Sequence, residues 1–526
     1  MLLLNLPAEL ISRIFYHLDG QSLVRCRAVC RKCSRVIDKD LRLHYHVTLY
    51  GINMMDNTQN GYTLIKKFKL LQNFLATRVN KTWTPPTPIA TFPGNGPPKI
   101  LNPEQGYRLS SDVLTFVNGL HFHCMDFSTM VDGKPYKEWE FTVEGIVEVG
   151  YFDIDPTQNL LVIKEFTQRS ALTYHIRSLE NGKIHPLARA KLPPVQIEQA
   201  WDELTDYFEI YQEQLLVWVD QEWDNPAVID NTITVYNWVT GEVMRTISGP
   251  YPSATFLGSD YLLCFDVATG SSPAFRLCVF SIHGDSKDPP VLIFEYPQIQ
   301  NLRDLSMQCY FQNGLTVPRL AHMRTHRPFC SNPEEAVLVL CAEPEYLEPP
   351  PFAGTGSWQM ISVIPMSSMF SHLRALQTTS TPASTTTTTQ DTTKQPSTKT
   401  SGKEVTTVPR RVKWGAWPQY TVSAHKRDYA YAHGSRVIIE QFQTLTILDF
   451  DRKSLVSKAL DSPTIERKEP VVEVPWSHPV ESTLHPRVHS LPLALKEGSS
   501  ISDVHLDEDT ILIGTDRGEV YMYKQT

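Results

Sequence analysis

No apolar run in this chain is long enough to cross a bilayer; the longest one beyond the amino terminus, Ala336 to Ala342, falls far short of the roughly 20 residues a spanning helix needs. Catalytic signatures are missing as well. There is no Gly-x-Ser-x-Gly elbow, no Gly-x-x-x-x-Gly-Lys phosphate loop and no His-Glu-x-x-His pair, so no nucleophile, phosphate cradle or protease zinc site is named. No dominant basic stretch offsets a net charge of −8, which argues against nucleic acid or an anionic membrane as the main partner. Cysteine is sparse: nine in 526 residues, an odd number without the density of a secreted disulfide scaffold, which fits a reducing compartment. The opening MLLLNLPAEL lacks a basic leader, and Asn5, Pro7 and Glu9 interrupt its apolar run, so no export signal is expected. The expected location is cytoplasmic, nuclear or both.

What the chain does have is an unusual excess of apolar side chains in a short amino-terminal segment. Pro7 suits the first turn of a helix, and Glu9 sits by the positive end of its dipole. Leu10, Ile11, Ile14, Phe15 and Leu18 then recur at steps of three and four, a stripe wide enough to touch two surfaces. Asp19 and Gly20 stop this helix, and Asp19 is placed to cap a second one carrying Leu23, Cys26, Val29 and Cys30. A third, basic helix follows through Arg31, Lys32, Cys33, Arg35, Val36 and Ile37. So small a unit cannot bury all of these side chains alone, and the surplus implies a partner.

Leu6, Pro7, Glu9, Leu10, Ile14, Phe15, Leu18, Leu23, Val29, Cys30 and Arg31, in that order and spacing, closely resemble the F-box motif. The resemblance covers about the first 40 residues and departs at Cys33, where the family often has Trp. It implies binding to the Skp adaptor of an SCF-type ligase and, through it, to a cullin-RING core. The partner-binding residues it implies are Leu6, Pro7, Glu9, Leu10, Ile14, Phe15, Leu18, Leu23 and Val29. The mode would be interlocking helices with a few buried apolar anchors.

Beyond this unit, Leu64, Phe68, Leu71, Phe74 and Leu75 fall at helical steps within Tyr62 to Lys81, with Lys66, Lys67 and Lys69 between them. An amphipathic spacer helix is expected. Residues 83 to 105 are rich in Pro and Gly and read as a linker. From about Asp112 short apolar runs alternate with turn residues, as in repeated β-strands.

These runs repeat. Tyr151-Phe152-Asp153-Ile154, a turn and Leu160-Leu161-Val162 are echoed by Tyr207-Phe208-Glu209-Ile210, a turn and Leu215-Leu216-Val217. Phe256 with Leu262-Leu263, and Val504 with Ile511 to Ile513, have a similar form. Ile233 to Ile247, reversing at Thr240-Gly241 after Trp238, is similar to the last two strands of a WD-repeat blade, with Asn237 where that family usually keeps Asp; Leu172 to Leu192, with its Asn181-Gly182 turn, and the ending Glu519 to Thr526 are weaker copies. Units begin roughly 40 to 60 residues apart, as propeller blades do. A radial propeller buries both faces of each sheet and leaves few edges. A split β-sandwich array is the runner-up, and the absence of interleaved helices disfavours a leucine-rich solenoid.

The expected fold class is mainly β with a small all-α amino terminus: a three-helix F-box followed by a degenerate six- or seven-bladed β-propeller. The boundaries are 1–48 for the F-box, 49–111 for a helical and Pro/Gly-rich linker, 112–376 for the first part of the propeller, 377–409 for a Thr/Ser-rich insertion and 410–526 for its final part. The insertion has almost no apolar side chain to offset ordering entropy and is expected to be disordered, a hydroxyl-rich loop open to phosphorylation or a neutral insertion. Ring closure is expected to use a strand near Leu114 or Trp139, and Arg410, Arg411 and Lys413 are a weak nuclear-import candidate.

Two cysteine clusters invite a metal or redox reading. Cys26, Cys30 and Cys33 are otherwise accounted for by the helical pattern; Cys309, His322, His326 and Cys330 imitate half a zinc finger without its paired upstream Cys. No metal and no cofactor are expected. Asp153, Asp155, Asp202, Glu203, Asp206, Asp220, Glu222 and Asp224 read as a solvated rim, and Trp201 to Trp223 as a candidate client face. The resulting expectation is a non-catalytic adaptor that recruits a client protein for ubiquitination, acting by proximity. A propeller enzyme tethered to a ligase, marked by polar residues converging in its channel, and a scaffold without ubiquitination remain open.

Overall fold

The structure is a computed structural model. It describes residues 5–58, 61–80, 87–91, 107–128, 135–168, 171–189, 191–196, 206–219, 231–268, 274–298, 302–304, 309–313, 328–342, 345–346, 358–379, 409–413, 416–417, 420–425, 429–441, 444–450, 486–493, 495, 499, 501–506, 510–515 and 519–524.

Four helices lead the chain: α1 (Ala8–Phe15), α2 (Gly20–Val29), α3 (Arg31–Lys39) and α4 (Leu41–Gly51). Their boundaries follow from local chemistry. Pro7 occupies the cap position of α1, and Asp19 caps α2 by accepting the Ser22 N–H at 2.7 Å. Asp40 caps α4 through the N–H groups of Arg42 and Leu43. Gly20 does not stop a helix as the sequence suggested; it opens α2, because a Cβ there would stand 2.5 Å from the Cβ of Tyr50 on α4. The fourth helix, not expected as a separate element, supplies Leu43 and Val47 to the core that Ile11, Phe15, Leu23, Cys33, Val36 and Ile37 build. Cys33 thus fills an interior position where a larger ring would be the family habit.

After a short strand β1 (Met54–Asp56) and a long helix α5 (Leu64–Asn80) comes β2 (Thr87–Thr91), and then seven sheets in sequence order. The first has strands Tyr107–Ser110, Val113–Asn118, His121–Asp126 and Lys137–Thr142; the second Tyr151–Asp155, Leu160–Gln168, Ala171–Ser178 and Val195–Gln196; the third Asp206–Tyr211, Gln214–Val219, Asn231–Asn237 and Val243–Gly249. The fourth, Ser253–Phe256, Tyr261–Ala268, Ala274–Ser281 and Leu292–Gln298, gains a parallel edge strand, Arg410–Val412. The fifth, Cys309–Asn313, Val337–Ala342, Trp358–Pro365 and Tyr420–His425, has helix α6 (Met366–Thr379) in the connection before its last strand. The sixth is Tyr429–His433, Arg436–Gln441, Thr444–Asp449 and Arg487–Pro492, and the seventh Ile501–Leu506, Thr510–Thr515 and Glu519–Lys524.

These sheets form a propeller because each junction between neighbours is a separate apolar core. Phe122 and Phe152 join the first and second; Phe208 and Leu160 the second and third; Phe256 and Ile233 the third and fourth. Leu277 and Leu340, Val339 and Val437, and Ile447 and Ile511 continue the ring. Leu114 and Leu512 close it, joining the first blade to the seventh. Seven junctions for seven sheets make a closed seven-bladed ring.

Closure differs from the expectation in its source. The fourth strand of the last blade is β2, pairing antiparallel with Glu519–Lys524 from Thr87↔Met522 to Thr91↔Glu519. Leu114 and Trp139 belong to the first blade instead. A strand inside a Pro-rich stretch is hard to foresee, yet the outermost position is where a sheet tolerates a residue that cannot donate. The WD-like hairpin is as expected in form: Asn237 Oδ1 accepts the N–H groups of Val239 and Thr240 at 3.0 Å, and buried Trp238 donates to the Gln212 carbonyl at 2.7 Å. Arg411 at the fourth blade's edge binds Glu295 at 2.7 Å. No described helix is long and apolar enough to cross a membrane. The disorder expected of the Thr/Ser-rich insertion concerns residues that, beyond the end of α6 at Thr379, lie outside the described ones up to residue 408.

Candidate docking face and its joint to the propeller

The stripe on α1 divides by helical geometry. Ile11 and Phe15, one turn apart, point into the helical core and are 0% and 2% exposed, whereas Leu10 and Ile14, also one turn apart, remain 43% and 42% exposed. Val24 and Val29 on α2 are exposed too, Val29 to 73%. Large apolar side chains left open in pairs on a helix mark a surface awaiting cover. Pro7 and Glu9 are exposed beside them; Leu6 and Leu18 are partly buried against the core. Phe15 and Leu23 stand apart from the face the sequence assigned to them, because both are enclosed by the module's own helices and shape the face from beneath. Tyr16 is held by donating to Asp40 at 2.6 Å with the Arg42 guanidinium over its ring.

This face is rigidly tied to the propeller. Strand β1 pairs antiparallel with Phe329–Ser331, which lies between the first two strands of the fifth blade, in the register Met54↔Ser331 to Asp56↔Phe329. The Asn57 N–H donates to the Pro328 carbonyl at 3.0 Å and the Asn332 N–H to the Asn53 carbonyl at 2.8 Å. Buried Tyr45 of α4 donates to Asp56 Oδ1 at 2.9 Å, and Lys67 of α5 reaches the same oxygen at 2.8 Å and the Asn57 carbonyl at 2.6 Å. Burial, then the neighbouring Asp56 carboxylate, pushes the Tyr45 phenol well up, so it stays a donor. Around this polar knot Leu49, Ile52, Leu71 and Phe74 close on Phe329, whose ring meets that of Phe74 edge-on at 5.3 Å. Helix α5 is therefore part of a joint, more than the spacer its sequence suggested. A sequence signal that would have found this was Lys67, a cation at helical steps of three and four from Leu64 and Leu71 on the apolar face.

Of the aromatics in the proposed client-face stretch, Tyr207 is 38% exposed, and several others are enclosed. Phe208, Tyr211 and Trp218, on the first two strands of the third blade, are buried in the cores between neighbouring blades, Trp218 donating to the Tyr251 carbonyl at 2.9 Å. Trp201 and Trp223 lie outside the described residues, as do Asp202, Glu203, Asp220, Glu222 and Asp224. Asp153 and Asp155 are not on a solvated rim; they stand, partly buried, on the innermost strand of the second blade, which neighbours the first strands of the adjoining blades. Burial raises Asp153 to about 6 against the pull of Arg108, and Arg108 itself stacks 4.3 Å from the Tyr151 ring centre. Asp155 caps a turn by accepting from the Thr157 N–H and hydroxyl at 3.0 and 2.6 Å. On the next innermost strand Glu209 accepts the Thr255 hydroxyl at 2.8 Å.

His322 and His326 of the half-finger cluster lie outside the described residues, and Cys330 pairs in the joint opposite Met55. Among the described residues no group of three His, Cys, Asp or Glu side chains is placed to hold a metal.

Residues 3–50 match the family model described as F-box-like, so the chain carries an F-box-like domain ahead of its β-propeller. No curated protein matches the sequence. Among solved structures, the chain is similar to the β-propeller domain of the Trilobed protease from Pyrococcus furiosus at 8% identity and a TM-score of 0.36, covering 80% of this chain and 96% of that one. It is similar to BamB from Moraxella catarrhalis at 8% identity and a TM-score of 0.32, covering 84% and 99%, and to the β-propeller domain of Nup133 from Vanderwaltozyma polyspora at 7% and 0.34, covering 83% and 97%. Likenesses this slight carry no argument about function.

Proposed function

We propose that this F-box-like domain and propeller form a substrate-recruiting subunit of an SCF-type ubiquitin ligase, the helices docking a Skp adaptor and the propeller holding a client protein. The observation that carries the reading is the outward pair Leu10 and Ile14, left open by a module whose core is already complete, within the segment that matches the F-box-like model. Each side chain, already about half covered, gains roughly 1 kcal/mol when a partner removes the rest from water. Val29 extends the proposed contact, with Leu6, Pro7, Glu9 and Leu18 around it, while Phe15 and Leu23 support it from within.

The chemistry is supplied by the ligase core, and this chain contributes effective concentration. The joint matters to that role, because a client held by a loosely tethered receptor samples many positions and one held through a paired strand and an ion pair samples few. No catalytic group is required of the propeller. The location follows that of the ligase, in cytoplasm or nucleus.

Affinity purification of the full chain tests the reading. Leu10→Ala with Ile14→Ala is expected to lower recovery of Skp adaptor and cullin at least about tenfold, given the roughly 2 kcal/mol assigned to the pair, with the melting curve unchanged. Full recovery of both subunits by this variant rejects the docking face.

A further inference from the structure

Three thiols, Cys26, Cys30 and Cys33, meet where α2 passes into α3, and the docking reading uses none of them. Cys30 is the turning point. Its backbone is extended, with φ −162° and ψ 161°, so it ends α2 and caps α3, and its Sγ accepts the Cys33 N–H at 3.4 Å. A sulfur in that position takes the place of the capping oxygen of Ser or Asp, and partial negative charge on it is favoured by the free N–H groups of the first turn. Cys30 is partly exposed; Cys33, one turn inward, is 3% exposed and packed in the helical core.

The two thiols are therefore unlike. Hydrogen bonds from Cys33 and Lys32 and the Lys32 charge hold Cys30 below the usual thiol range. Burial, then the hydrogen bond to Cys30, pushes Cys33 up to about 11. Attack falls to the outer sulfur, and the inner one is protected until an adduct forms beside it. Residues three apart at a helix start lie about 5–6 Å from Cα to Cα, inside the range a disulfide spans.

We propose that Cys30 and Cys33 are a reversible thiol–disulfide site that takes low-molecular-weight disulfides such as oxidised glutathione. The Cys30 thiolate attacks one sulfur of the small disulfide, whose S–S bond breaks and releases one thiolate to be protonated by solvent. The Cys33 thiol gives its proton to solvent and attacks the Cys30 sulfur of the mixed disulfide, releasing the second small thiolate. Two protein thiols are oxidised and one small disulfide is reduced to two thiols. The site does not depend on adaptor docking.

The test uses the full chain, reduced and then equilibrated in glutathione buffers of graded ratio, trapped with N-ethylmaleimide and digested with trypsin. Cleavage after Arg25, Arg27, Arg31, Lys32 and Arg35 puts the three cysteines on separate peptides, so each pairing has its own signature. The expected product joins peptide 28–31 to peptide 33–35. Cys33→Ser is expected to stop at the glutathione adduct on Cys30, and Cys30→Ser to leave Cys33 unmodified. Because Cys33 is interior, the wild-type chain supplies a second readout: before oxidation, at neutral pH, Cys30 should be alkylated about tenfold or more faster than Cys33. A link involving Cys26, an adduct that persists on wild-type Cys30, or equal alkylation rates overturns the proposal.

Discussion

Replacing Lys67 by Met should loosen the joint between the helical module and the propeller without touching either core. The Lys67 side chain is 8% exposed and that of Asp56 20%, and their contact is 2.8 Å. Removing the ammonium leaves the Asp56 carboxylate in a nearly dry site where the Tyr45 hydroxyl still donates to it at 2.9 Å, and deprives the Asn57 carbonyl of a bond at 2.6 Å. Breaking a buried pair from one side costs about 3–5 kcal/mol; the Tyr45 bond and the residual solvent contact of Asp56 bring the expected loss to about 2–3 kcal/mol. That corresponds to roughly 30- to 150-fold faster opening. Hydrogen exchange reads it directly at the amides of Asn57 and Asn332, which donate across the joint to Pro328 and Asn53. Asp56→Asn in the Lys67→Met background should recover most of the loss, since a neutral acceptor needs no cation. The reasoning is refuted if Lys67→Met accelerates these amides less than about threefold, about 0.7 kcal/mol, or if the double variant opens as readily as the single one.

Gly20→Ala places a Cβ 2.5 Å from that of Tyr50; a loss of about 1–3 kcal/mol is expected in thermal unfolding of the helical module, partly recovered by Tyr50→Ala. Ile11→Ala, at a fully buried position, should cost about 2–5 kcal/mol of stability, in contrast to Leu10→Ala, which should leave the melting temperature within a degree or so of wild type. Asp153 is raised to about 6 from 3.8, so its native state favours the proton. Its contribution to stability is complete below about pH 4 and is lost as pH rises through about 6. Asp153→Asn should therefore raise the melting temperature relative to wild type at pH 7.5, with the difference shrinking toward pH 4; a difference independent of pH contradicts the assignment. Deleting Thr87–Thr91, which supplies the last strand of the seventh blade, should lower the propeller's melting temperature and raise exchange at Glu519–Lys524 first.

Much of this architecture was legible in the chain because it rests on local rules. Asp19, Pro7 and the spacing of Ile11 and Phe15 specify two helices irrespective of what surrounds them, and the Tyr207 and Tyr151 hairpins announce their two-residue period directly. Less local features were not. Strand β2 is only five residues long and contains Pro88, and its partner lies more than 400 residues away in the chain. The fifth blade is interrupted by α6 and the insertion, so its last two strands are far apart in sequence although adjacent in space. Asp153 and a rim carboxylate look alike in sequence, since neither has a pattern that says which way its strand faces the ring.

The amino-acid order by itself determined that there is an amphipathic helical unit, that its stripe is too wide for one core, and that short buried strands recur at blade length. Periodicity and capping are properties of neighbours in the chain, so these needed no knowledge of the rest. Only the tertiary structure decided which half of the stripe is left open, that seven blades close through an amino-terminal strand, and that the helical module is joined to the connection between the first two strands of the fifth blade. Each of those depends on burial and pairing between residues far apart in sequence, where the free energy of a side chain is set by what happens to lie across from it.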